Sequence, residues 1–327
     1  MQKITKLIPL LLTCAAFLML TSSCTDGESS NALGGRGDVE DAITGLSFKP
    51  GTITVSITDA VIDSAQEVWV QFTGVTIQPS DGEAIDFTFK NVKNINLLSL
   101  QGTLSTELIN NEVIPPGNYD SIRLHVNASI DSNLDSYIKL DDGSEHELSI
   151  PSGSQTGLKI NSSFELTTTE ELNLMIDFDL RKSVVLSAGK YKLRPTLRMI
   201  NLDNTNNVTG SINQSLLTAD NCSDANPVTG NSVYLFEGTD VDADDIDNKN
   251  PEPITSASVE LNSSTGLYEY IIGFVPSGDY TLAFTCQADL DDPGSNDNIM
   301  FTLSENITVT AIKTTDDDDD QLPDPVR

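Results

Sequence analysis

The sequence has few of the residues that most often carry catalysis or bind metals. Its 327 residues include two histidines, four cysteines and one tryptophan. A zinc site needs three or four His, Cys or carboxylate ligands in a tight cluster, and the separated His125 and His146 do not supply one. No G-x-S-x-G motif presents a nucleophilic serine. We therefore expect a protein that is not an enzyme.

Basic residues are also scarce, with 18 Lys and Arg against 49 Asp and Glu and a formal net charge of −31. A field of this sign repels a polyphosphate, so we expect no nucleic-acid partner. Six of the basic residues lie between positions 181 and 198. We expect them to pair across strands with acids such as Asp177 and Asp179, and an anion-binding site is the alternative.

Long apolar runs are missing as well. The segment LIPLLLTCAAFLML has 14 mainly apolar residues, too few to cross a bilayer but typical of a signal-peptide core. With MQKITK before it and LTSSC at its end, the start resembles a bacterial lipoprotein signal. The resemblance implies that residues 1–23 are removed, that Cys24 is acylated and, because Thr25 follows, that the protein is anchored in the Gram-negative outer membrane. An ordinary cleaved signal with a chance cysteine is the alternative.

Helical periodicity is sustained nowhere, whereas period-two alternation begins at Gly51. TITVSIT, ELNLMIDFDL and YKLRPTLRMI each alternate apolar with polar residues. Strands with one wet face, separated by Gly, Pro, Asn and Asp turns, predict an all-β protein of two antiparallel β-sandwich domains in tandem. The predicted segments are a flexible tether (24–46), a first sandwich (47–203), a second sandwich (208–312) and an acidic tail (313–327).

Three G-x-Y segments recur, ending at Tyr119, Tyr191 and Tyr280. The glycine permits a tight turn, and the tyrosine can bury its ring while its hydroxyl binds backbone at a sandwich corner. Tyr119 is out of phase with Ile122 on its strand, a mismatch that a bulge could reconcile. We interpret the repeat as part of the fold and not as a binding site.

The segments GTITVSITDA, IPPGNYDSIRL, IPSGSQTGLKI, LMIDFDLRKSVV and YKLRPTLR occur in this order between Pro50 and Asp203. This region resembles a bacterial lipoprotein domain family known as domain of unknown function 4382. SASVELNSSTGLYEYIIGFVPSGDYTLAFTC resembles transthyretin-like or carboxypeptidase-regulatory sandwiches. The resemblances imply a secreted, anchored β-protein and bring no catalytic residues.

Cys222 and Cys286 remain beside the anchor cysteine once a signal peptide is removed. A pair of cysteines in an oxidising compartment predicts a disulfide. The alternative is two inert buried thiols.

The segment DVDADDIDNKN begins with Asp240, Asp242 and Asp244 at the spacing of a calcium loop. An EF-hand is excluded, because Asp245 stands where glycine is needed and a proline stands where the closing glutamate should be. A looser calcium site remains open, to which DLDDPGSNDN can converge from another loop; simple solvation of both acidic loops is the alternative.

Trp69 lies in EVWVQF, and it faces outward if Val68, Val70 and Phe72 face the core. An outward tryptophan can stack on a sugar ring. Packing in the core or against the other domain is the interpretation that we favour, because Gly74 can mark a bulge that switches faces.

These features predict a cell-envelope lipoprotein that acts as a non-catalytic binding or structural module, with no cofactor apart from the open question of calcium. Envelope proteins or surface glycans are the expected partners. A calcium-dependent surface adhesin or carbohydrate-binding protein is the first alternative. The second is a glycosidase-type hydrolase, which needs two carboxyl groups about 5–10 Å apart in a cleft.

Overall fold

Strands dominate the part of the chain that the computed structural model describes, and the prediction of an all-β fold is confirmed. The predicted signal peptide, Cys24, the tether and the acidic tail lie outside the described residues. Among the described helices, none has the length and apolar content to span a membrane. The described residues are 50–60, 65–150, 157–187, 189–194 and 196–311.

The first sandwich is built from β1–β13, with one 3-10 turn at Leu97–Leu100 and one short helix, α1 (Leu180–Ser183). Its strands are β1 (Gly51–Ala60), β2 (Ala65–Pro79), β3 (Ile85–Asn96), β4 (Thr106–Ile114), β5 (Gly117–Asn127), β6 (Tyr137–Leu140), β7 (Glu145–Ser149), β8 (Leu158–Ile160), β9 (Phe164–Leu166), β10 (Glu171–Asp179), β11 (Val184–Ser187), β12 (Lys190–Leu193) and β13 (Thr196–Asn201).

Two sheets enclose the core of the first sandwich. The smaller has the order β13-β10-β1-β4, and the larger has the order β11-β12-β7-β6-β2-β5-β8, with β3 on β2 and β9 on β5. Alternate residues of β1, β2 and β10 point into the space between the sheets, where the ring of Phe72 meets that of Phe178 edge-on at 6.1 Å. Period-two alternation is therefore the signal that forms these sheets.

Two strand pairs differ from the predicted antiparallel arrangement. β1 pairs with β10 in parallel, and so does β12 with β7. Parallel partners need a long crossover connection, and here more than 100 residues separate the paired Thr52 and Glu171. A pattern read within single strands carries no information on such distant partners. The alternating segment YKLRPTLRMI forms two strands instead of one, since β12 lies in the larger sheet and β13 in the smaller.

The second sandwich is all antiparallel and pairs a sheet of order β14-β18-β17 with one of order β16-β15-β19-β20. The 3-10 turn Leu202–Asn204 leads into it, and it also contains α2 (Gln214–Leu217) and a 3-10 turn at Ala288–Leu290. Its strands are β14 (Thr205–Ile212), β15 (Ser232–Glu237), β16 (Thr255–Ser258), β17 (Glu260–Leu261), β18 (Tyr268–Pro276), β19 (Gly278–Thr285) and β20 (Phe301–Val309).

The four-stranded sheet of the second sandwich is covered on both faces. Val233, Leu235 and Phe284 point into the sandwich core, whereas Tyr234 and Phe236 point to the opposite side. There they pack with apolar residues of two long loops, residues 238–254 and 286–300. These loops contain the two acidic segments whose convergence the sequence analysis left open, and they share one small apolar cluster.

The predicted disulfide is confirmed, with Cys222 and Cys286 bonded and their Cα atoms 5.0 Å apart. The bond ties the loop after α2 to the end of β19. Cys286 is buried in the second core. The disulfide therefore closes a long loop around the hydrophobic centre of this sandwich.

Two of the three G-x-Y tyrosines make the predicted corner. The Tyr119 hydroxyl donates to the Pro115 carbonyl, and the Tyr280 hydroxyl donates to the Pro276 carbonyl at 2.9 Å. A register shift between β2 and β5 next to Tyr119 supplies the bulge that reconciles the two phases of its strand. Tyr191 is different, since it is half-buried and its ring packs against that of His146 at 5.1 Å.

The sandwiches meet around α1, and the described residues belong to one compact unit. β1 contacts β16, and β13 contacts β18. Backbone approaches backbone here, since a Cβ atom on Gly273 would lie 2.0 Å from the Gly102 carbonyl oxygen. Asp177 and Asp179 are each only 5% exposed at this junction, so this end of β10 lacks the wet face that its alternation predicts. The expected cross-strand ion pair of Arg198 with Asp177 is present.

Candidate functional site

An outward-facing aromatic pair marks the larger sheet of the first sandwich. Trp69 of β2 lies opposite Tyr137 of β6, with ring planes 18° apart and centroids 6.2 Å apart. Both side chains are half-buried, whereas Val68 and Val70 are completely buried on the other face. The favoured prediction that Trp69 packs in the core or between domains is therefore wrong, and the outward orientation holds. We call Trp69 and Tyr137 the aromatic platform.

The predicted bulge at Gly74 exists but does not turn Trp69 inward. The register of β2 shifts between Phe72 and Gly74 against both neighbouring strands. As a result, Phe72 and Val75 are both buried although three positions separate them. The bulge keeps the apolar side of β2 on the core and leaves Trp69 on the outer face.

A charged pair fixes the orientation of the tryptophan ring. The indole Nε1 of Trp69 donates to Glu67 Oε2 at 2.6 Å, and Lys139 Nζ lies 3.0 Å from Glu67 Oε1. The bond from Trp69 and that from Lys139 hold the pKa of Glu67 below its usual value. The carboxylate therefore stays ionised and accepts from both neighbours over the neutral pH range.

Three amide side chains continue this face beside Trp69. Gln71 Nε2 donates to Asn94 Oδ1 at 2.9 Å, and Asn127 Nδ2 donates to Gln71 Oε1 at 2.5 Å. The three residues come from adjacent strands, β3, β2 and β5, and are held in register by the sheet. Flat rings beside amide donors and acceptors suit a neutral, polyhydroxylated ligand, which offers C–H faces and hydroxyl groups.

A second candidate site lies in the loops of the second sandwich. Within the described residues, Asp245, Asp291 and Asp297 are the acidic group whose carboxylate oxygens lie within 4.8 Å of one another. Asp245 belongs to the first acidic loop, and the other two belong to the second. We call these three residues the aspartate cluster. The convergence of the two acidic segments is thus confirmed.

Backbone and tyrosine donors position the aspartate cluster. The Ile246 N–H donates to both Asp291 oxygens, at 3.1 and 3.3 Å, and the Tyr234 hydroxyl donates to Asp291 Oδ2 at 2.5 Å. The Asp297 N–H donates to Asp245 Oδ2. Asp297 Oδ2 in turn accepts from the Asp292 N–H at 2.7 Å. The two loops are therefore linked through the acids themselves.

Burial changes the protonation of two of these acids. Burial raises the pKa of Asp291 to about 6, although the Tyr234 hydroxyl and the Arg181 guanidinium favour its ionised form. Burial also raises the pKa of Asp245, and the carboxylate of Asp244 beside it adds to the effect. Both shifts mean that holding negative charge here costs free energy when no cation compensates it.

The three aspartates selected from their spacing do not form this cluster. Asp240 exchanges two hydrogen bonds with Asn306 of β20, at 2.9 and 2.7 Å. Asp242 is exposed, and Asp244 Oδ1 accepts from the Asp245 N–H at 3.1 Å. The spacing identified the correct loop, but the buried member is Asp245. The sequence feature that indicates Asp245 is the apolar Ile246 directly after it. Burial of Ile246 holds the adjoining backbone, and with it Asp245, inside the protein.

A cleft of about 330 Å³ lies where the sandwiches meet. Its walls include Asp59 and Asp177 from the first sandwich and Glu260 and Glu269 from the second. Arg198 binds Asp177 through two nitrogens, at 3.0 and 2.5 Å. Here residues of both sandwiches bring carboxylates to one concave surface.

Together these features define an all-β protein of two sandwiches with an aromatic outer face and an acidic loop cluster. Residues 50–195 match the model of a family described as Domain of unknown function (DUF4382). This match supports the assignment of the first sandwich to that domain family. Comparison with curated proteins gives no significant match.

Two solved structures show distant likenesses to this chain. The Bacillus anthracis TIE protein is 11% identical with a TM-score of 0.16, over 80% of this chain and 32% of that one. The chain thus spans about a third of that protein's length. A candidate adhesin from Bacteroides ovatus ATCC 8483 is 11% identical with a TM-score of 0.17, over 86% of this chain and 88% of that one. TM-scores this low define no shared function.

Proposed function

We propose that this protein is a non-catalytic binding module of the bacterial cell envelope that recognises neutral glycans through the aromatic platform. The observation that carries the proposal is the stacked Trp69–Tyr137 pair on an outer sheet face. Aromatic rings that are partly exposed on a sheet face can pack on the C–H face of a sugar, and the polar groups beside them can bind its hydroxyls.

The surroundings of the platform support a neutral ligand. The formal net charge of −31 repels polyanions, including acidic polysaccharides and nucleic acids. The amides of Gln71, Asn94 and Asn127 supply donors and acceptors without net charge. Because Glu67 fixes the indole, little side-chain freedom is lost when a ligand binds.

The test uses the fluorescence of Trp69, the single tryptophan of the chain. The full chain in detergent is titrated with soluble neutral glucan, galactan and mannan, and with polygalacturonate as the acidic comparison. We expect a saturable change in emission with at least one neutral glycan and none with polygalacturonate. Affinity electrophoresis with that glycan should show retardation of the wild type.

Two variants separate binding from sheet stability. Tyr137→Ala keeps the tryptophan reporter and should weaken binding at least tenfold. Leu186→Ala changes an exposed apolar residue on β11, at the far edge of the same sheet, and should bind as wild type. If no neutral glycan changes the Trp69 emission or the mobility, the platform only joins two strands and the proposal fails.

For the location we propose an outer-membrane lipoprotein held by acylated Cys24, with the second sandwich of the transthyretin-like type. Support comes from the basic start, the apolar core and the LTSSC segment. Several acyl chains together hold a protein firmly in a membrane. Metabolic labelling with a fatty acid should mark the wild type and not Cys24→Ser. Labelling of the variant, or a wholly soluble wild type, contradicts the anchor.

A hydrolase is the second candidate, favoured by the acid-lined cleft at the junction. Hydrolysis through paired carboxylates would require Asp59, together with a second carboxylate of the cleft, to act on a glycan bound there. The glycan that binds is incubated with wild type and with Asp59→Asn, and new reducing ends are measured. A rate that Asp59→Asn abolishes would establish the hydrolase, and an absent or unchanged rate favours the binding module.

A further inference from the structure

We propose that the aspartate cluster, Asp245, Asp291 and Asp297, is a binding site for a hard divalent cation of the calcium type. This site is independent of the aromatic platform and of the proposed glycan ligand. It joins the two acidic loops that cover the outer face of the β15–β19 sheet.

The distances between the oxygens fit a shared cation. Calcium takes oxygen ligands at about 2.3–2.6 Å. Oxygens that all contact one such ion therefore lie no more than about 5 Å apart. One oxygen from each of the three carboxylates lies within 4.8 Å of the others. Further ligands can be water or backbone carbonyls, which calcium sites commonly include.

A buried oxygen without a partner points to the ligand independently. Asp245 is 1% exposed, and its Oδ1 atom has no hydrogen-bond donor within the described residues. Its other oxygen accepts from the Asp297 N–H. An ionised carboxylate enclosed without compensation is costly, and buried charges in proteins are normally paired or bound to metals. A cation among the three acids supplies the missing partner.

Hydrogen bonds from neighbouring groups orient the carboxylates of the cluster, as hydrogen bonds to the ligands of a metal site do. Asp291 accepts from Tyr234 and from the Ile246 N–H, and Asp297 accepts from the Asp292 N–H and the Ser295 hydroxyl. Such bonds fix the direction of ligating carboxylates. Lys249, the lysine of the first loop, pairs with Asp247 instead of entering the cluster.

The ligand chemistry selects the class of ion. Three carboxylates and no sulfur or imidazole disfavour zinc and copper and favour calcium, magnesium or manganese. Magnesium demands near-ideal octahedral geometry and keeps its waters, whereas calcium accepts irregular sites built by loops. The cluster is built by two loops and is only partly buried, so we assign it to calcium.

The cation site connects to the junction between the sandwiches. Tyr234, which donates to Asp291, also accepts a hydrogen bond from the Arg181 guanidinium of α1. A cation that fixes Asp291 therefore also fixes the tyrosine against which α1 packs. We expect the ion to stabilise the second sandwich and its contact with the first.

The test compares thermal unfolding of the full chain in a chelator and in millimolar calcium, with sodium chloride at equal ionic strength as the screening control. Binding to the native state stabilises it by mass action, so the Tm should rise with calcium concentration. Equal shifts in calcium and sodium chloride would show screening only and would overturn the site.

Asp245→Asn gives a result that a solvated acidic loop would not give. In chelator, the variant should have a higher Tm than wild type because a buried charge is removed. In calcium the order should reverse, because the variant has lost a ligand and the wild type has not. Unchanged calcium response in the variant would contradict the site.

Asp242→Asn is the matched control, since it makes the same charge change at an exposed position of the same loop. It should keep the wild-type calcium affinity, measured by calorimetry. Asp297→Asn should lower the calcium affinity at least tenfold. This variant replaces Asp245→Asn in the test if Asp245→Asn does not fold. Loss of binding in Asp242→Asn with normal binding in Asp297→Asn would place the ion at the spacing motif and overturn the proposal.

Discussion

The two candidate sites are built in opposite ways. The aromatic platform stands on regular strands, where every second residue faces solvent and the sheet holds neighbours in register. The aspartate cluster stands on two loops that are distant in sequence, and burial rather than alternation brings its members together. The difference separates what a local pattern can predict from what only the tertiary structure provides.

The disulfide provides the largest expected effect in this comparison. Cys222 and Cys286 are 64 residues apart. Removing a disulfide that closes a loop of that length lowers the unfolding free energy of the protein by about 4 kcal/mol. Cys222→Ser with Cys286→Ser should therefore destabilise the second sandwich strongly. Chemical denaturation measures the loss, and Trp69 emission reports separately on the first sandwich.

If the first sandwich keeps its unfolding transition while the second unfolds at lower denaturant, the disulfide stabilises the second sandwich alone. Coincident loss of both by the same amount would show that the junction makes them one cooperative unit. Two free thiols in wild type made in an oxidising compartment would contradict the disulfide.

Arg181 tests the junction between the regions. It is buried and donates to Tyr234 and Ser232 of the second sandwich. Removing one partner of a buried charged network costs about 3 kcal/mol. Arg181→Ala should lower the unfolding free energy by this amount, whereas exposed Arg194→Ala should change it by less than about 0.5 kcal/mol. Equal effects of the two variants would show that the junction contributes little.

The tyrosine corners give a smaller, symmetrical effect. Tyr119→Phe and Tyr280→Phe each remove one part-buried hydroxyl bond to a backbone carbonyl, worth about 1 kcal/mol. Tyr191→Phe is the control, since its hydroxyl makes no hydrogen bond within the described residues. Equilibrium denaturation of the three variants distinguishes them. A loss for Tyr191→Phe equal to the other two would remove the distinction between corner and non-corner tyrosines.

Local patterns predicted much of the first sandwich. Alternation in β1 and β10 predicted their core-facing residues, and G-x-Y predicted the corners at Tyr119 and Tyr280. The same alternation failed at Asp177 and Asp179, because a second sandwich covers the face that the pattern assigns to water. Parallel pairing of β1 with β10 was not predicted either, because it depends on residues that are far apart in the chain.

The acidic loops show this limit most clearly. The spacing of Asp240, Asp242 and Asp244 is a local signal, and it led to the correct loop but not to the buried acid. Asp245 acquires its position because Ile246 packs against Tyr234 and Phe236 of β15. That contact depends on a strand before the loop and on the second acidic loop after it, which no spacing rule includes.

The most direct test of the central claim, that the platform is a binding face separate from the loops, is the emission of Trp69 in the full chain. Neutral glycan should change this emission, and millimolar calcium at constant ionic strength should leave it unchanged. Calcium that shifts the emission as the glycan does, or a neutral glycan that binds without altering it, would contradict the account.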